Sequence, residues 1–185
     1  MATIFLDRDG TLNVDTAYLV DPAGMVLIEG ASAAVASFKS LGLDVVIVTN
    51  QSAIARGMGT REQVEATNQK LVDLLNEEVK GAAVDAIFYC PHGPEDDCSC
   101  RKPKTGMLGN FVKTIEPTLD QCWMVGDKIS DLKFGLELGL KASHCVLVRT
   151  GEGATEEGKL DCLGAASLEI VVVDSIKNVA SLIEA

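Results

Sequence analysis

The chain has 185 residues, 47% of them hydrophobic and 23% charged, and its formal net charge is −11. This length and balance predict one globular domain spanning 1–185 and exclude a disordered, collagen-like or fibrous chain. The longest apolar runs, Val45–Val48 and Ile170–Val173, are far shorter than the roughly 20 residues of a membrane-spanning helix. An acidic chain with 4% aromatic residues has little attraction for nucleic acids or anionic membranes, so we expect neither as a partner.

Short apolar strands alternate with helical patterns along the chain. The predicted strands cover 3–6, 45–48, 86–89, 123–125, 146–148 and 170–173, and the predicted helices cover 32–41, 60–79, 107–115, 130–138 and 175–183. Thr60 and Gln63 have capping-box spacing at the start of the second helix, and Gly42 and Gly139 follow two helix ends. Such alternation predicts an α/β fold, a Rossmann-like doubly wound parallel sheet with helices on both faces.

The spacing of these elements also limits what can cover a site. The intervals from Asp9 to Thr49 and from Tyr89 to Trp123 are largely filled by predicted helices and loops. They leave no room for a large cap domain, so we expect an open site whose specificity comes from short loops. In open parallel sheets, ligands bind at the carboxyl ends of the strands. Polar residues follow the predicted strands at 7–9, 49–51, 90–92 and 126–128.

Asp7 and Asp9 lie two residues apart at the end of the first strand, in the segment Asp7-Arg8-Asp9-Gly10-Thr11. Their carboxylates would repel each other unless compensated, and an oxygen-only set joined by Asp127 suits Mg²⁺. One carboxylate can also act as a nucleophile while a second serves as general acid and base. The alternative is a simple strand-end turn in which an aspartate caps backbone amides.

Other polar residues at the strand ends suit a phosphate. Thr49–Ser52 offers a hydroxyl and turn amides for phosphate oxygens, although an ordinary polar turn explains that segment better on its own. Lys102 and Lys128 are candidate counter-charges for a transferring phosphoryl group, and each taken singly would be a solvated surface lysine. Asp131 either orients the metal site or lies on an exposed helical turn.

The six cysteines fall into two groups. In the first group, three cysteines and one histidine lie close together in the sequence. Three thiolates and one imidazole make a closed tetrahedral ligand set, which predicts a structural Zn²⁺ site; the alternative is chance clustering. These residues are Cys90, His92, Cys98 and Cys100. The zinc would organise a loop over 90–104 and aim Arg101 and Lys102 at the site. Cys122, Cys145 and Cys162 are expected to be small buried apolar residues.

Asp7, Arg8 and Asp9 stand where a signal peptide would need apolar residues. Clustered thiols without an export signal favour a reducing, cytoplasmic compartment. Gly153–Lys159 has the spacing of a phosphate-binding P-loop, but it lacks the final Ser or Thr and places glutamates where phosphates would lie, so we set it aside. His144 is expected to be structural.

The segment Asp7–Thr11, followed in order by Thr49, Lys102 and Gly126-Asp127, resembles the motif set of the haloacid dehalogenase superfamily. The cysteine–histidine set narrows the resemblance to the histidinol-phosphate phosphatase-like family, which includes sugar bisphosphate phosphatases, and it covers essentially the whole chain. The resemblance implies a Mg²⁺-dependent phosphatase that removes the 7-phosphate of D-glycero-D-manno-heptose 1,7-bisphosphate. Histidinol phosphate or another small phosphorylated metabolite is the alternative substrate. A non-catalytic, zinc-organised binding module is the more distant alternative.

By this resemblance, Asp7 is the nucleophile that forms an aspartyl-phosphate, Asp9 is the general acid and base, and Thr49 and Lys102 hold the phosphoryl group. Mg²⁺ would be bound by Asp7, the backbone carbonyl of Asp9 and Asp127. Substrate recognition would fall to Asp15, Thr16, Ala17, Tyr18, Asn50, Gln51, Ser52, Arg101 and Lys128. The family more commonly has glycine where Ala17 stands. We expect a monomer, because no long apolar helix face or heptad pattern is present.

Overall fold

The computed structural model describes residues 2–183. The six strands of this part form one parallel sheet in the order β3-β2-β1-β4-β5-β6. They are β1 Thr3–Leu6, β2 Asp44–Asn50, β3 Ala86–Cys90, β4 Trp123–Gly126, β5 Cys145–Val148 and β6 Val171–Val173. The helices are α1 Ala31–Ser40, α2 Arg61–Glu78, α3 Phe111–Ile115, α4 Ile129–Leu138, α5 Gly153–Glu156 and α6 Val179–Ile183. This arrangement is the predicted Rossmann-like, doubly wound sheet. All strands are parallel, and the order in which they are added reverses between β1 and β4.

Both faces of the sheet are covered, which explains why its strands are mostly apolar. All four residues of β1 are buried, with Ile4 and Leu6 in the core beneath α1 and α2. Phe5 points to the opposite core, where it packs edge-on against Phe134 of α4 with ring centroids 6.2 Å apart. Burial on both faces sets the strand register and thereby carries the next residue, Asp7, to the carboxyl end of the sheet.

The predicted helix ends are confirmed where the sequence carried a chemical signal. Thr60 and Gln63 form the expected capping box, with the Gln63 amide donating to Thr60 Oγ1 at 3.3 Å and the Thr60 amide donating to Gln63 Oε1 at 2.9 Å. Gly139 ends α4 with a φ of +96°, a left-handed conformation that favours glycine. No helix in the described range combines the length and apolar character needed to cross a membrane.

Two predicted helices are interrupted and one burial prediction is wrong. The region 107–115 contains a 3₁₀ turn, Gly106–Leu108, and the short α3, because Gly109 between them has a φ of +51°. The last helix likewise starts as the 3₁₀ turn Ile176–Asn178. Cys122 and Cys145 are buried as expected, but Cys162 is exposed. It lies in a 3₁₀ segment, 157–168, that buries none of its residues, so nothing packs over its thiol.

The described chain inserts no cap domain over the carboxyl ends of the strands. Only the 3₁₀ turn Pro22–Gly24 and α1 are formed as helices between β1 and β2. Between β3 and β4 lie the cysteine-rich loop, short 3₁₀ segments and α3. The absence of a large cap was predicted from these intervals, and it leaves the end of the sheet accessible to a small ligand.

Candidate active site

Three carboxylates meet at the carboxyl ends of β1 and β4, the neighbouring strands between which the strand order reverses. Asp7 extends β1, its amide donating to Val125 O at 2.9 Å, and Asp127 directly follows β4. Oxygen atoms of Asp7, Asp127 and Asp131 all lie within 4.8 Å of one another, and all three residues are buried. Gly10 makes this approach possible, since a Cβ at that position would overlap the Asp127 carboxylate. The sequence had left Asp131 open, and its burial excludes an exposed helical turn.

Lys102 is a buried cation that offsets part of the negative charge of this cluster. Its ammonium group lies 2.7 Å from Asp7 Oδ1, 2.7 Å from Asp131 Oδ1 and 2.7 Å from Val48 O. Burial by itself lowers the pKa of Lys102, but attraction to the two carboxylates outweighs it and the pKa is raised. Lys102 therefore stays charged beside Asp7, and its burial excludes the alternative of a solvated surface lysine.

The other two carboxyl groups are held away from their usual ionisation. Burial, followed by repulsion from Asp7 and Asp131, raises the pKa of Asp127 to about 8. Burial also raises the pKa of Asp131 to about 6, although Lys102 opposes the shift. Both shifts arise first from burial and then from the negative charge of neighbouring carboxylates, which the nearby lysines do not fully offset. A further cation would offset this charge.

The donor set fits a divalent cation such as Mg²⁺. Asp127 Oδ2 accepts a hydrogen bond from the Glu152 amide at 2.8 Å. Asp127 Oδ1 is buried and has no hydrogen-bond partner in the described part of the chain. A buried carboxylate oxygen without a partner is costly, and a hard cation coordinated by oxygen atoms would satisfy it.

Asp9 stands apart from the three-carboxylate cluster. Its carboxylate accepts hydrogen bonds from Arg8 Nη2 at 2.8 Å, Asn13 Nδ2 at 3.0 Å and Gln51 Nε2 at 2.8 Å. Burial raises the pKa of Asp9, but Arg8 and the amide donors outweigh it and hold the pKa below its usual value. The side chain thus turns toward donors rather than toward Asp127, which leaves its backbone carbonyl as the predicted metal contact.

Arg8 is a site residue that the sequence reasoning missed. Its side chain is completely buried, and its Nη1 atom donates to Asn68 Oδ1 of α2 at 2.8 Å. The guanidinium therefore fixes the Asp9 carboxylate against the body of the protein. The signal was a charged residue between two candidate ligands at the end of a buried strand, where a solvated arginine has no room.

The last two residues of β2 and Gln51, which follows them, form another side of the site. Thr49 is buried, and its hydroxyl accepts from Gln51 Nε2 at 2.9 Å. Asn50 holds the backbone of Lys102 twice, since its Oδ1 accepts from the Lys102 amide at 3.0 Å and its Nδ2 donates to the carbonyl at 3.3 Å. These contacts bring the end of β2 to the end of the cysteine-rich loop.

A cavity of about 70 Å³ opens among these groups. Its lining residues are Asp7, Asp9, Asp15, Ala17, Thr49, Asn50, Lys102, Lys128, Ser130 and Asp131. Eight of these ten were predicted as site residues, the role of Asp131 was left open, and Ser130 was not predicted. Thr16, Tyr18, Gln51, Ser52 and Arg101, also predicted, are not among the lining residues. Gln51 does not line the cavity, but it holds two residues that do, through its hydrogen bonds to Asp9 and Thr49.

The loop 15–18 borders the cavity through a charged contact. Lys128 Nζ lies 3.2 Å from Asp15 Oδ2, and the pKa of Lys128 is raised because nearby carboxylates outweigh its desolvation. Asp15 Oδ1 accepts from the Ala17 amide at 2.7 Å, which closes a tight turn. Ala17 has a φ of +70°, a region that glycine adopts more easily. This backbone conformation is a physical reason for the glycine that the resemblance leads us to expect at this position.

A second cluster lies in the loop after β3. Its four donor atoms, the sulfurs of Cys90, Cys98 and Cys100 and His92 Nδ1, lie within 4.8 Å of one another. The sulfur–sulfur distances run from 3.1 to 3.5 Å. Burial, with the adjacent thiols, raises the pKa of Cys90 to about 12, whereas hydrogen bonds with Cys100 and Cys90 outweigh burial and lower the pKa of Cys98 to about 7. Three sulfurs and one imidazole nitrogen facing a common centre fit a tetrahedral Zn²⁺.

This loop leads directly into the three-carboxylate cluster. Arg101 and Lys102 follow Cys100, and Arg101 Nη1 donates to His92 O at 3.1 Å. Pro94, Glu95, Asp96 and Asp97 are exposed, so the loop has little apolar packing of its own. An ion at the cluster would therefore supply much of the order that places Lys102.

Two features that the sequence analysis set aside are structural in the fold. His144 stacks on Trp123 with ring centroids 4.2 Å apart, and its Nδ1 lies 3.1 Å from Cys122 O. The P-loop-like segment forms the four-residue α5 and then a 3₁₀ run. Within it, Glu156 is buried and accepts from the Ile129 amide, which is incompatible with a phosphate cradle there.

The chain has a doubly wound parallel sheet, with acidic residues and a buried lysine at the point where the strand order reverses. This combination is typical of HAD-like hydrolases. The HAD-hydrolase-like family model matches residues 99–178. The chain is 43% identical over 163 residues to D-glycero-beta-D-manno-heptose-1,7-bisphosphate 7-phosphatase of Haemophilus influenzae, covering 84% of this chain and 86% of that protein. The corresponding Vibrio cholerae protein is 37% identical over 183 residues, covering 95% and 92%. The chain belongs to the family of these phosphatases, and it is a hydrolase of phosphate esters.

A solved structure agrees with the fold along the whole chain. The D,D-heptose 1,7-bisphosphate phosphatase from B. bronchiseptica, crystallised with magnesium and phosphate, superposes with a TM-score of 0.87. It is 34% identical and the match covers 100% of both chains. The corresponding Burkholderia thailandensis structure has a TM-score of 0.69 at 26% identity, covering 98% of this chain.

Proposed function

We propose that this chain is a Mg²⁺-dependent phosphatase that removes the 7-phosphate of D-glycero-D-manno-heptose 1,7-bisphosphate. The observation that carries the proposal is the pairing of Asp7 with Lys102 at 2.7 Å beside an Asp127 oxygen that has no partner. This arrangement combines an exposed end of the sheet, a carboxylate nucleophile and a place for a cation. The names of the relatives supply the substrate.

The residues around Asp7 can carry out both halves of a phosphoryl transfer. A carboxylate oxygen of Asp7 attacks the phosphorus, the bond to the sugar oxygen breaks, and an aspartyl-phosphate forms. Lys102 and the Thr49 hydroxyl stabilise the negative charge spread over the phosphoryl oxygens. Water then attacks the phosphorus and releases phosphate from Asp7.

Asp9 serves both proton transfers in this proposal. An incoming phosphate brings negative charge that raises the proton affinity of Asp9, so Asp9 can hold the proton that it then donates to the leaving sugar oxygen as the bond to phosphorus breaks. Once deprotonated, Asp9 is the carboxylate that Arg8 and its amide donors favour, and it accepts a proton from the attacking water. The buried Arg8 thus helps to reset the base between the two steps.

Each metal has its own residues in the proposal. Asp7, Asp127 and the backbone carbonyl of Asp9 would hold Mg²⁺, which neutralises charge on the phosphoryl group. Cys90, His92, Cys98 and Cys100 would hold a structural Zn²⁺ with no position left for substrate. Asp15, Ala17, Asn50 and Lys128 line the open site. Together with Arg101, the residue before Lys102, they would contact the sugar and its second phosphate. We further propose that the enzyme acts as a cytoplasmic monomer.

A substrate panel tests the proposed reaction. We expect kcat/KM with Mg²⁺ to favour a manno-heptose 1,7-bisphosphate over histidinol phosphate by about a hundredfold or more, which is ~2.7 kcal/mol of transition-state discrimination. The β anomer should be the better heptose substrate, since the curated relatives are named for it. A preference for histidinol phosphate would replace the named substrate, and no phosphate release from any member would favour a binding module.

Zinc removal is expected to slow the reaction indirectly. The protein as purified should carry about one zinc per chain, as four ligands imply. Stripping it should lower the melting temperature, loosen residues 90–100 and reduce kcat after Mg²⁺ is restored, because Lys102 lies two residues beyond Cys100. Metal analysis, thermal unfolding and phosphate release measure the three effects.

A matched pair of cysteine variants controls for thiol chemistry. Cys98→Ser should reproduce the effects of zinc stripping, whereas Cys162→Ser should change neither zinc content nor rate, because Cys162 is exposed outside the cluster. If zinc-free protein kept both its melting temperature and its rate, the structural role of zinc would be wrong.

A further inference from the structure

We propose that the segment Thr150–Glu156, after β5, is a positioning element that sets Asp127 and the start of α4 for the divalent cation. The inference rests on the Mg²⁺ role in the proposed function. The segment overlaps the P-loop-like motif that the sequence analysis set aside, and no part of the phosphoryl transfer described above uses it. Its side chains do not touch the substrate cavity, so it acts through other residues.

The backbone of the segment fixes the orientation of the Asp127 carboxylate. The Glu152 amide donates to Asp127 Oδ2 at 2.8 Å, which leaves Oδ1 as the buried oxygen without a partner. A carboxylate rotates easily about its last side-chain bond unless something holds one oxygen. The amide contact therefore decides which oxygen faces the three-carboxylate cluster.

Two glycines let the backbone come this close. Gly151 and Gly10 lie on neighbouring turns beside Asp127, and a Cβ on Gly151 would lie 2.6 Å from the Cα of Gly10 and overlap Asp127 Oδ2. Thr150 Oγ1 donates to Gly10 O at 2.6 Å, which ties the turn after β1 to the segment after β5. The Asp127 carboxylate is thus enclosed by backbone from both turns.

The far end of the segment holds the helix that carries Asp131. Glu156 is buried, and its Oε2 accepts from the amide of Ile129, the first residue of α4, at 2.9 Å. The first amides of a helix have no partner within the helix, so this contact satisfies one of them. Thr150–Glu156 therefore braces both sides of the Asp127 turn, at the carboxylate and at the helix that follows.

Two glycine variants separate the effect of contact from the effect of backbone strain. Gly151 and Gly164 have nearly the same φ, +61° and +60°, but only Gly151 has neighbours that a Cβ would meet. In zinc-loaded protein, we expect Gly151→Ala to weaken Mg²⁺ binding, measured by titration calorimetry without substrate, by about tenfold or more. Gly164→Ala should keep the Mg²⁺ dissociation constant of the unchanged protein. Folded Gly151→Ala with unchanged Mg²⁺ binding would overturn the proposal.

Milder variants decide the question if Gly151→Ala does not fold. Thr150→Val removes only the hydroxyl that holds Gly10, and Glu156→Ala removes the acceptor for Ile129, whereas Glu156→Gln keeps an acceptor oxygen. We expect weaker Mg²⁺ binding in Thr150→Val and Glu156→Ala, with recovery in Glu156→Gln. Unchanged binding in the first two would contradict the positioning role.

The titration also distinguishes this inference from the proposed function. Mg²⁺ binding is measured with the ion alone, so a wrong heptose substrate would leave the comparison of variants intact. Conversely, a normal substrate panel with unchanged Mg²⁺ binding in every variant would leave the phosphatase standing and remove the positioning element.

Discussion

Asp7→Asn is expected to abolish phosphate release while leaving the protein folded. The substitution keeps the shape of the side chain and an oxygen that can accept from Lys102, but an amide cannot form the aspartyl-phosphate. Loss of a covalent nucleophile costs hydrolases on the order of 10⁶-fold in kcat, so the remaining rate should be close to background. Steady-state phosphate release with the heptose bisphosphate measures it.

Stability should separate this effect from unfolding. Negative charge on Asp7 is one cause of the raised pKa of Asp127, so removing it relieves repulsion in the buried cluster. We therefore expect the melting temperature of Asp7→Asn to be equal to or above that of the unchanged protein. Asp73→Asn on the exposed face of α2 is the control and should leave the rate unchanged. Substantial activity in Asp7→Asn, in a preparation shown by intact mass to contain no deamidated chain, would rule out Asp7 as the nucleophile.

Lys102→Met should have the largest effect on stability. Methionine keeps much of the side-chain volume, but Asp7 and Asp131 lose the cation that lies 2.7 Å from each. Removing one partner of a buried ion pair typically costs about 3–5 kcal/mol, because the remaining charge is left uncompensated. Phosphate release should also fall, by on the order of 10²-fold or more, since a charge-stabilising group is missing.

The stability loss should grow with pH. Burial raises the pKa of Asp131 to about 6 even though Lys102 opposes the shift, so removing Lys102 raises that pKa further above its unfolded value. A carboxyl group with a raised native pKa binds more protons in the folded than in the unfolded state, so stability falls as pH rises through that range. Denaturant unfolding in magnesium-free buffer at pH 5 and pH 8 should therefore show the larger cost at pH 8.

A surface ion pair of the same length provides the matched control. Lys39 lies 2.6 Å from Asp85, but both side chains are partly exposed. Lys39→Met should cost no more than about 1 kcal/mol, because water screens an exposed pair. If Lys102→Met cost no more than Lys39→Met at pH 8, the buried carboxylates would not depend on Lys102.

The amino-acid sequence by itself determined the α/β class, the strand positions and most of the residues that line the cavity. The reason is local. A strand buried on both faces is mainly apolar, as Ile4–Leu6 and Val45–Val48 are, and polar residues begin where that burial ends. The capping box at Thr60 and the cysteine–histidine spacing after β3 were equally readable, since their chemistry lies within a few neighbouring residues.

Only the tertiary structure decided how residues far apart in the chain share charge. The sequence was compatible with a solvent-exposed Asp131, but in the fold its carboxylate lies 2.7 Å from Lys102. Arg8 positions Asp9 because its guanidinium is itself held by Asn68 of α2. No local feature of the sequence distinguished Cys162 from the buried Cys145, but Cys162 is exposed in a 3₁₀ segment that buries none of its residues. Thr150–Glu156 overlaps the P-loop-like motif Gly153–Lys159, which suggested phosphate binding. In the fold, the backbone of the segment instead contacts Asp127. Burial and pairing arise from contacts between distant segments, which a local pattern does not encode.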